Sequence, residues 1–212
     1  MRKALIVWGG WEGHQPEEVA KLLGGLLAEE GFEVELSSTL DSLMDAEKLR
    51  SLNLIVPVWT MGSITKEQLQ PLLEAVRSGV GIAGCHGGMG DSFRNETEYQ
   101  FMVGGQWVAH PGNDGVRYAV NLKEHQLTAG IGDFEACTEQ YYMHVDPAVE
   151  VHATTTFAAF GPNGTDVRMP VVWTKTYGLG KVYYCSLGHQ AEIVRMTQVS
   201  ELMRRGMVWA AK

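Results

Sequence analysis

Two hydrophobic rhythms alternate along the first half of this chain. Ala4-Leu5-Ile6-Val7 and the apolar stretches at 52–58 and 80–85 are short unbroken runs, which predicts strands buried on both faces. Residues 32–36 form a further strand-like run. Between them, Val19, Leu22, Leu23, Leu26 and Leu27 fall at the spacing of one helix face within 16–30, as do Leu69, Leu72, Leu73 and Val76 farther on. Gly31 and Gly79 stand where helix ends are expected, while Gly24-Gly25 weaken the first helix internally. Pro57 lacks a ladder donor, so the end of its strand is expected near an edge or a bulge.

Strands separated by crossover helices imply a parallel sheet with helices on both faces, a doubly wound α/β fold. After Gly90 the pattern shifts to shorter strands at 116–122, 134–138 and 149–157. A hairpin follows, 169–174 with 181–187 around Tyr177-Gly178-Leu179-Gly180, and a closing helix spans 197–210 with Val199, Leu202, Met203 and Met207 inward. The expected architecture is therefore a mostly parallel sheet with antiparallel strands added in the C-terminal half. No repeat or linker interrupts it, so residues 1–212 read as a single domain.

The net charge of −8 and the lack of a basic run argue against nucleic acid as a partner. No apolar run approaches the ~20 residues of a membrane span, and no leader follows Met1-Arg2-Lys3. Cys85, Cys137 and Cys185 are odd in number and widely spaced, as reduced thiols of a cytoplasmic protein would be.

Candidate chemistry gathers where parallel strands end, since such sheets bind ligands beyond their carboxyl edges. Gly84-Cys85-His86-Gly87-Gly88 follows a buried strand and suits a sharp elbow that lifts one side chain above the sheet. Either His86 or, one register back, Cys85 can be its centre. Gly188-His189 ends the last strand, and an imidazole there suits a general base near neutral pH. The first turn, Trp8-Gly9-Gly10-Trp11-Glu12-Gly13-His14, puts an indole where a dinucleotide fingerprint needs glycine. Thr138-Glu139-Gln140-Tyr141-Tyr142-Met143-His144 and Gly104-Gly105-Gln106-Trp107-Val108-Ala109-His110 add a carboxylate, aromatics and further imidazoles. Alternation in Val149-Glu150-Val151-His152-Ala153 puts His152 beside Glu150 on a solvent face, and His125 is expected in a loop or at a helix start.

In these residues the chain resembles the ThuA-like (trehalose-utilisation) family over nearly its whole length. The markers are the first turn with His14, the elbow with His86, Gly104-Gly105 followed by His110, Thr138-Glu139 with Tyr141, and Gly180-Lys181-Val182-Tyr183-Tyr184 leading to Gly188-His189. The resemblance implies a flavodoxin-like, class I glutamine amidotransferase-like fold. It makes His86 the elbow residue, where an amidotransferase carries its nucleophilic cysteine, and His189 the late histidine. The amidotransferases continue His-Pro-Glu, whereas this chain continues Gln190-Ala191-Glu192. Both departures argue against glutaminase chemistry.

The resemblance points instead to carbohydrate utilisation. Its implied reaction is isomerisation, or elimination and hydration, of a keto-sugar or keto-glycoside supplied by a partner sugar oxidoreductase. His86, His189 and Glu139 are the expected catalytic groups. Trp11, His14, Trp107, His110, Tyr141 and His144 are the expected substrate contacts. With no Lys or Arg in the first turn or at the elbow, the pocket is expected to take a neutral or anionic polyol in preference to a phosphate. Three readings compete. His14, His86, His110, Glu139, His144 and His189 could give three ligands to a divalent metal such as Zn²⁺. The chain could be a non-catalytic sugar-binding module, or Cys85 could serve an amidase. A homo-oligomer is compatible with all of them.

Overall fold

The computed structural model describes all residues, Met1–Lys212. Its elements in chain order are β1 (Arg2–Gly10), α1 (Pro16–Glu29), β2 (Phe32–Ser37), α2 (Ala46–Ser51), β3 (Leu54–Thr60), α3 (Lys66–Arg77), β4 (Gly81–Cys85), α4 (His86–Gly90) and α5 (Thr97–Val103). There follow β5 (Gly105–Ala109), β6 (Val116–Leu122), β7 (Phe134–Thr138), β8 (Tyr142–Val145), β9 (Glu150–Phe157), β10 (Val167–Tyr177), β11 (Gly180–Cys185), α6 (Ala191–Val194) and α7 (Thr197–Ala210).

Nine strands make one sheet in the order β2-β1-β3-β4-β11-β10-β9-β6-β7. The first five are mutually parallel and repeat the flavodoxin-like order 2-1-3-4-5. From β11 onward every pairing is antiparallel. β5 and β8 form a separate two-stranded sheet.

Side chains of β1 alternate between two cores, because successive strand residues face opposite sides. Ala4 and Ile6 pack with Val19, Leu23 and Leu27 of α1 and Val199, Leu202, Met203 and Met207 of α7. Leu5 and Val7 pack with Leu69, Leu72, Leu73 and Val76 of α3 and with Tyr99 and Met102 of α5. Both faces are therefore covered, and the carboxyl edge of the parallel strands is left for function. No helix is long and apolar enough to cross a membrane.

The structure moves one expected position and gives the reason for another. Pro57 lies in an interior strand whose end has a free edge on one side. β3 pairs with β1 as far as Thr60 but with β4 only at Leu54 and Ile55, so the β4 ladder ends before Pro57 and needs no donor from it. The opened gap accepts the turn after β4, where a Cβ on Gly88 would stand 3.0 Å from Cα of Val58. His152 is buried, not solvated. Its Nε2 meets Thr174 Oγ1 at 2.7 Å, and its ring stacks on His125 with centroids 4.1 Å apart. The loop after β6, which carries His125, covers the face that alternation assigned to water. Short elements with weak periodicity, α2, α5 and the β5–β8 sheet, have no counterpart in the sequence reading.

Two stability outcomes follow from this packing. Gly25 is exposed within α1, and a Cβ there would meet nothing within 4 Å. Gly25→Ala should stabilise the fold by roughly 0.4–1 kcal/mol in denaturant titrations, because alanine restricts the unfolded chain and favours helix. Burial, followed by the neighbouring His125, pushes His152 down to about 4. A depressed imidazole pKa leaves stability intact above the unfolded value near 6.5 and removes it as pH falls from there towards 4. Unfolding free energy should drop by on the order of 2 kcal/mol across that window, and less in His152→Gln.

Candidate active site

The site begins with backbone geometry at two strand ends. Gly10, at φ +80°, presses so closely on Thr60 that any Cβ would strike its carbonyl oxygen. Trp11 N–H then donates to that oxygen at 3.2 Å, and the following turn delivers His14 to the Thr60 hydroxyl, with Nδ1 to Oγ1 at 2.7 Å. At the end of β4, His86 takes φ +49°, a left-handed conformation that L-residues adopt at a cost. This is the elbow, and the strained residue is His86 and not Cys85. A Cβ on Gly87 would lie 2.7 Å from Cε1 of His14, so the glycine lets the two histidine-bearing turns touch.

β11 supplies the third part. His86 donates from Nδ1 to the Ser186 carbonyl at 2.8 Å, and His189 stands three residues after Ser186, beyond Leu187 and Gly188. The antiparallel half supplies the fourth. The segment between β7 and β8 carries Glu139 back over the parallel edge, held by Tyr118, whose hydroxyl donates to the Glu139 carbonyl at 2.9 Å. Gln140 anchors it too, donating to Thr155 Oγ1 at 2.8 Å and to the Thr156 carbonyl.

The result is a buried carboxylate among imidazoles. Glu139 Oε2 lies 3.1 Å from His86 Nε2 and 3.4 Å from His189 Nδ1, while Oε1 faces His110 Nε2 at 3.8 Å. Ring centroids of His14, His86 and His189 are 4.8, 5.0 and 5.3 Å apart. Tyr141 lies over His86 at 3.9 Å, nearly parallel to it. Burial opposes charge on Glu139, but its interactions with His189 and His86 outweigh that and hold the carboxyl well below its ordinary range. Burial and the adjacent His86 and His189 push His14 down to about 3, so it is neutral at pH 7.

Above this cluster opens a cavity of about 150 Å³, lined by Trp11, His14, Thr60, Asp91, Arg94, Trp107, His110, Glu139 and Tyr141 among others. It is smaller than the roughly 300–1,000 Å³ of drug-sized sites. Trp11, Trp107, Tyr141, His110 and His14 all reach it. His86 and His189 lie behind Glu139 and meet it without lining the cavity. His144 does not join them: it points outward from β8 into a surface groove with Gln106, because alternation on β8 turns Met143 inward instead. Glu192 is exposed, so the carboxylate beside His189 is Glu139.

Thr60, Asp91, Arg94 and Gln140 belong to the site without having been read from the sequence. Asp91 and Arg94 carried a signal, an acid and a base three residues apart just after the elbow. Buried Asp91 accepts both Nε and a terminal nitrogen of Arg94, at 2.6 and 2.8 Å, and the guanidinium lies over the Trp107 ring. The cavity thus holds a cation that the glycine turns lack, but one already neutralised by its own carboxylate.

Fold and site together describe a ThuA-like α/β protein, consistent with the class I glutamine amidotransferase-like fold, in which a histidine occupies the elbow. The trehalose-utilisation family ThuA matches residues 3–210, and the chain belongs to that family. A putative ThuA-like protein from Bacteroides uniformis superimposes with a TM-score of 0.78 at 18% identity, over 99% of this chain and 91% of that one. A Salmonella typhimurium protein described as cytoplasmic superimposes at 0.71 and 14% identity, covering 99% of this chain and all of that one. A β-galactosidase from Bacillus circulans superimposes at 0.62 and 13% identity, with 99% of this chain matched to 30% of the enzyme. No curated protein sequence matches the chain.

Cys85 is buried beside Gly188, and burial followed by Cys185 raises its thiol far above the range of a nucleophile. Cys85→Ala should cost on the order of 1–2 kcal/mol of stability, as loss of a small buried group does. Turnover should stay within a few-fold. A fall of about 10³ with the fold intact would restore the nucleophile reading.

Proposed function

We propose that the protein catalyses proton transfer on a keto-sugar or keto-glycoside, as an isomerase or as an enzyme of elimination and hydration. The observation that carries this reading is one buried carboxylate, backed by two imidazoles and faced by a third, at the floor of an aromatic-walled cavity. A C–H next to a carbonyl is acidic enough for such a base. Glu139 takes that proton, the C–H electron pair moves into the carbonyl, and the carbonyl oxygen becomes an enol oxygen as it is protonated from His110. Return of the proton from Glu139 to the former carbonyl carbon, as the adjacent hydroxyl gives its proton to His110, completes isomerisation. Departure of a β-substituent as its alcohol with the proton from Glu139, as the enol gives its proton back to His110, completes elimination. His86 and His189 hold the charge and the orientation of Glu139. Membership of the trehalose-utilisation family supports a carbohydrate substrate. Ring hydroxyls are not ketones, so an oxidoreductase must supply the keto group. The free thiols of Cys85, Cys137 and Cys185 fit a cytoplasmic setting.

His86→Ala, Glu139→Gln and His189→Ala should each lower turnover of a 3-keto-glucoside by about 10²–10⁴, the usual loss for one acid–base partner. Double variants should lose far less than the product of the singles, since the groups act as a unit. The direct readout is solvent deuterium entering the carbon beside the carbonyl. Incorporation that is equal in wild type and all three variants would sink the mechanism, and thermal stabilisation by the keto-sugar without any incorporation would replace it with a binding module.

A further inference from the structure

Three histidines and a carboxylate meet below the cavity in an arrangement that hydrogen bonding within the protein leaves incomplete. The Ser186 carbonyl can only accept, so His86 must carry its proton on Nδ1. In the neutral ring Nε2 is then a lone pair, and it points at Glu139 Oε2 from 3.1 Å. Two acceptors at that distance need a proton or a cation between them. His189 Nδ1 adds a third donor to the same spot: it lies 3.4 Å from that oxygen and is buried with no hydrogen-bond partner. His14 brings a fourth, since the Thr60 hydroxyl engages its Nδ1 and leaves Nε2 free.

We infer that His14, His86, His189 and Glu139 form a binding site for one divalent transition-metal ion of the zinc class. One ligand atom from each residue lies within 4.8 Å of all the others. Metal–ligand bonds of ~2.0–2.2 Å in a tetrahedral site separate neighbouring ligand atoms by roughly 3.3–3.6 Å, so small side-chain adjustments close the set. Imidazoles with a single carboxylate select zinc, iron, nickel or copper over magnesium and calcium, which prefer all-oxygen cages. The outer contacts are those of a built site, because the Ser186 carbonyl fixes the tautomer of His86 and Thr60 orients His14. The other histidine pair makes a contrast. Glu150, the carboxylate beside His125 and His152, is exposed to water, so that group buries no charge that calls for a cation.

The site stands on these contacts alone. Its use as an electrophile at the ketone oxygen rests on the proposed function. In that role the ion would hold Oε2 of Glu139 and leave Oε1, beside His110 at 3.8 Å, as the base for the substrate proton, while the ion and His110 together would polarise the ketone oxygen. The same ion would explain why His86 and His189 lie behind the cavity instead of in its wall.

The experiment uses the full chain, purified without a histidine tag and stripped with EDTA. Calorimetry with ZnCl₂ should show one ion per chain with Kd below about 1 µM, unaffected by millimolar Mg²⁺. CoCl₂ should give visible d–d bands of a four- or five-coordinate site. His189→Ala and Glu139→Gln, with folding checked by circular dichroism, should each weaken binding by at least about 100-fold, whereas His125→Ala and His144→Ala should not change it. Absence of Zn²⁺ binding to the folded wild type, or binding lost in His125→Ala and kept in His189→Ala, overturns the site. Deuterium exchange separates the two ideas. Unchanged exchange in the stripped protein overturns the role of the ion and leaves the keto-sugar reading standing. Zinc bound as described with no exchange on keto-sugars overturns that reading and leaves the site.

Discussion

The structure depends on the burial of Glu139. A carboxylate taken out of water costs several kcal/mol unless it is met by charge or hydrogen bonds, so the chain must bring partners to it. Those partners come from separate strand ends: His86 after β4, His189 after β11, and His110 beyond β5. The carboxylate itself comes from the antiparallel half, and it ties that half to the carboxyl edge of the parallel half. Tyr118 and Gln140 fasten its backbone and neighbouring side chain to the added strands.

That tie explains the departures from an amidotransferase. In a triad, a carboxylate orients a histidine, which activates a nucleophile. Here the elbow residue is itself a histidine and turns into the protein, with one ring nitrogen bonded to Ser186 and the other facing Glu139. The thiol beside it is buried, which raises its pKa, and the acid after His189 faces solvent. The fold has kept the elbow and exchanged a nucleophile for a cluster that holds charge.

The walls complete the selection. Trp11 and Trp107 offer apolar faces, and Asp91 with Arg94 offers a neutral, rigid pair of hydrogen-bonding groups. An open cation would favour phosphate. A paired one leaves donors and acceptors for hydroxyls, as the proposed substrate requires.

Much of this was legible in the sequence where a rule is local. Buried strands, amphipathic helices and the glycine elbow each follow from the period of apolar residues or from the room a backbone turn needs, so the parallel half and the positions of His14, His86 and His189 could be read directly. Local pattern failed where a partner distant in sequence decides the environment. His152 looked solvated until the His125 loop covered it, and His144 was grouped with Glu139 until the pleat of β8 turned it outward. Which four of the six candidate ligands, spaced from position 14 to position 189, gather within 4.8 Å of one another was beyond any such rule, because only the closed sheet brings those strand ends together.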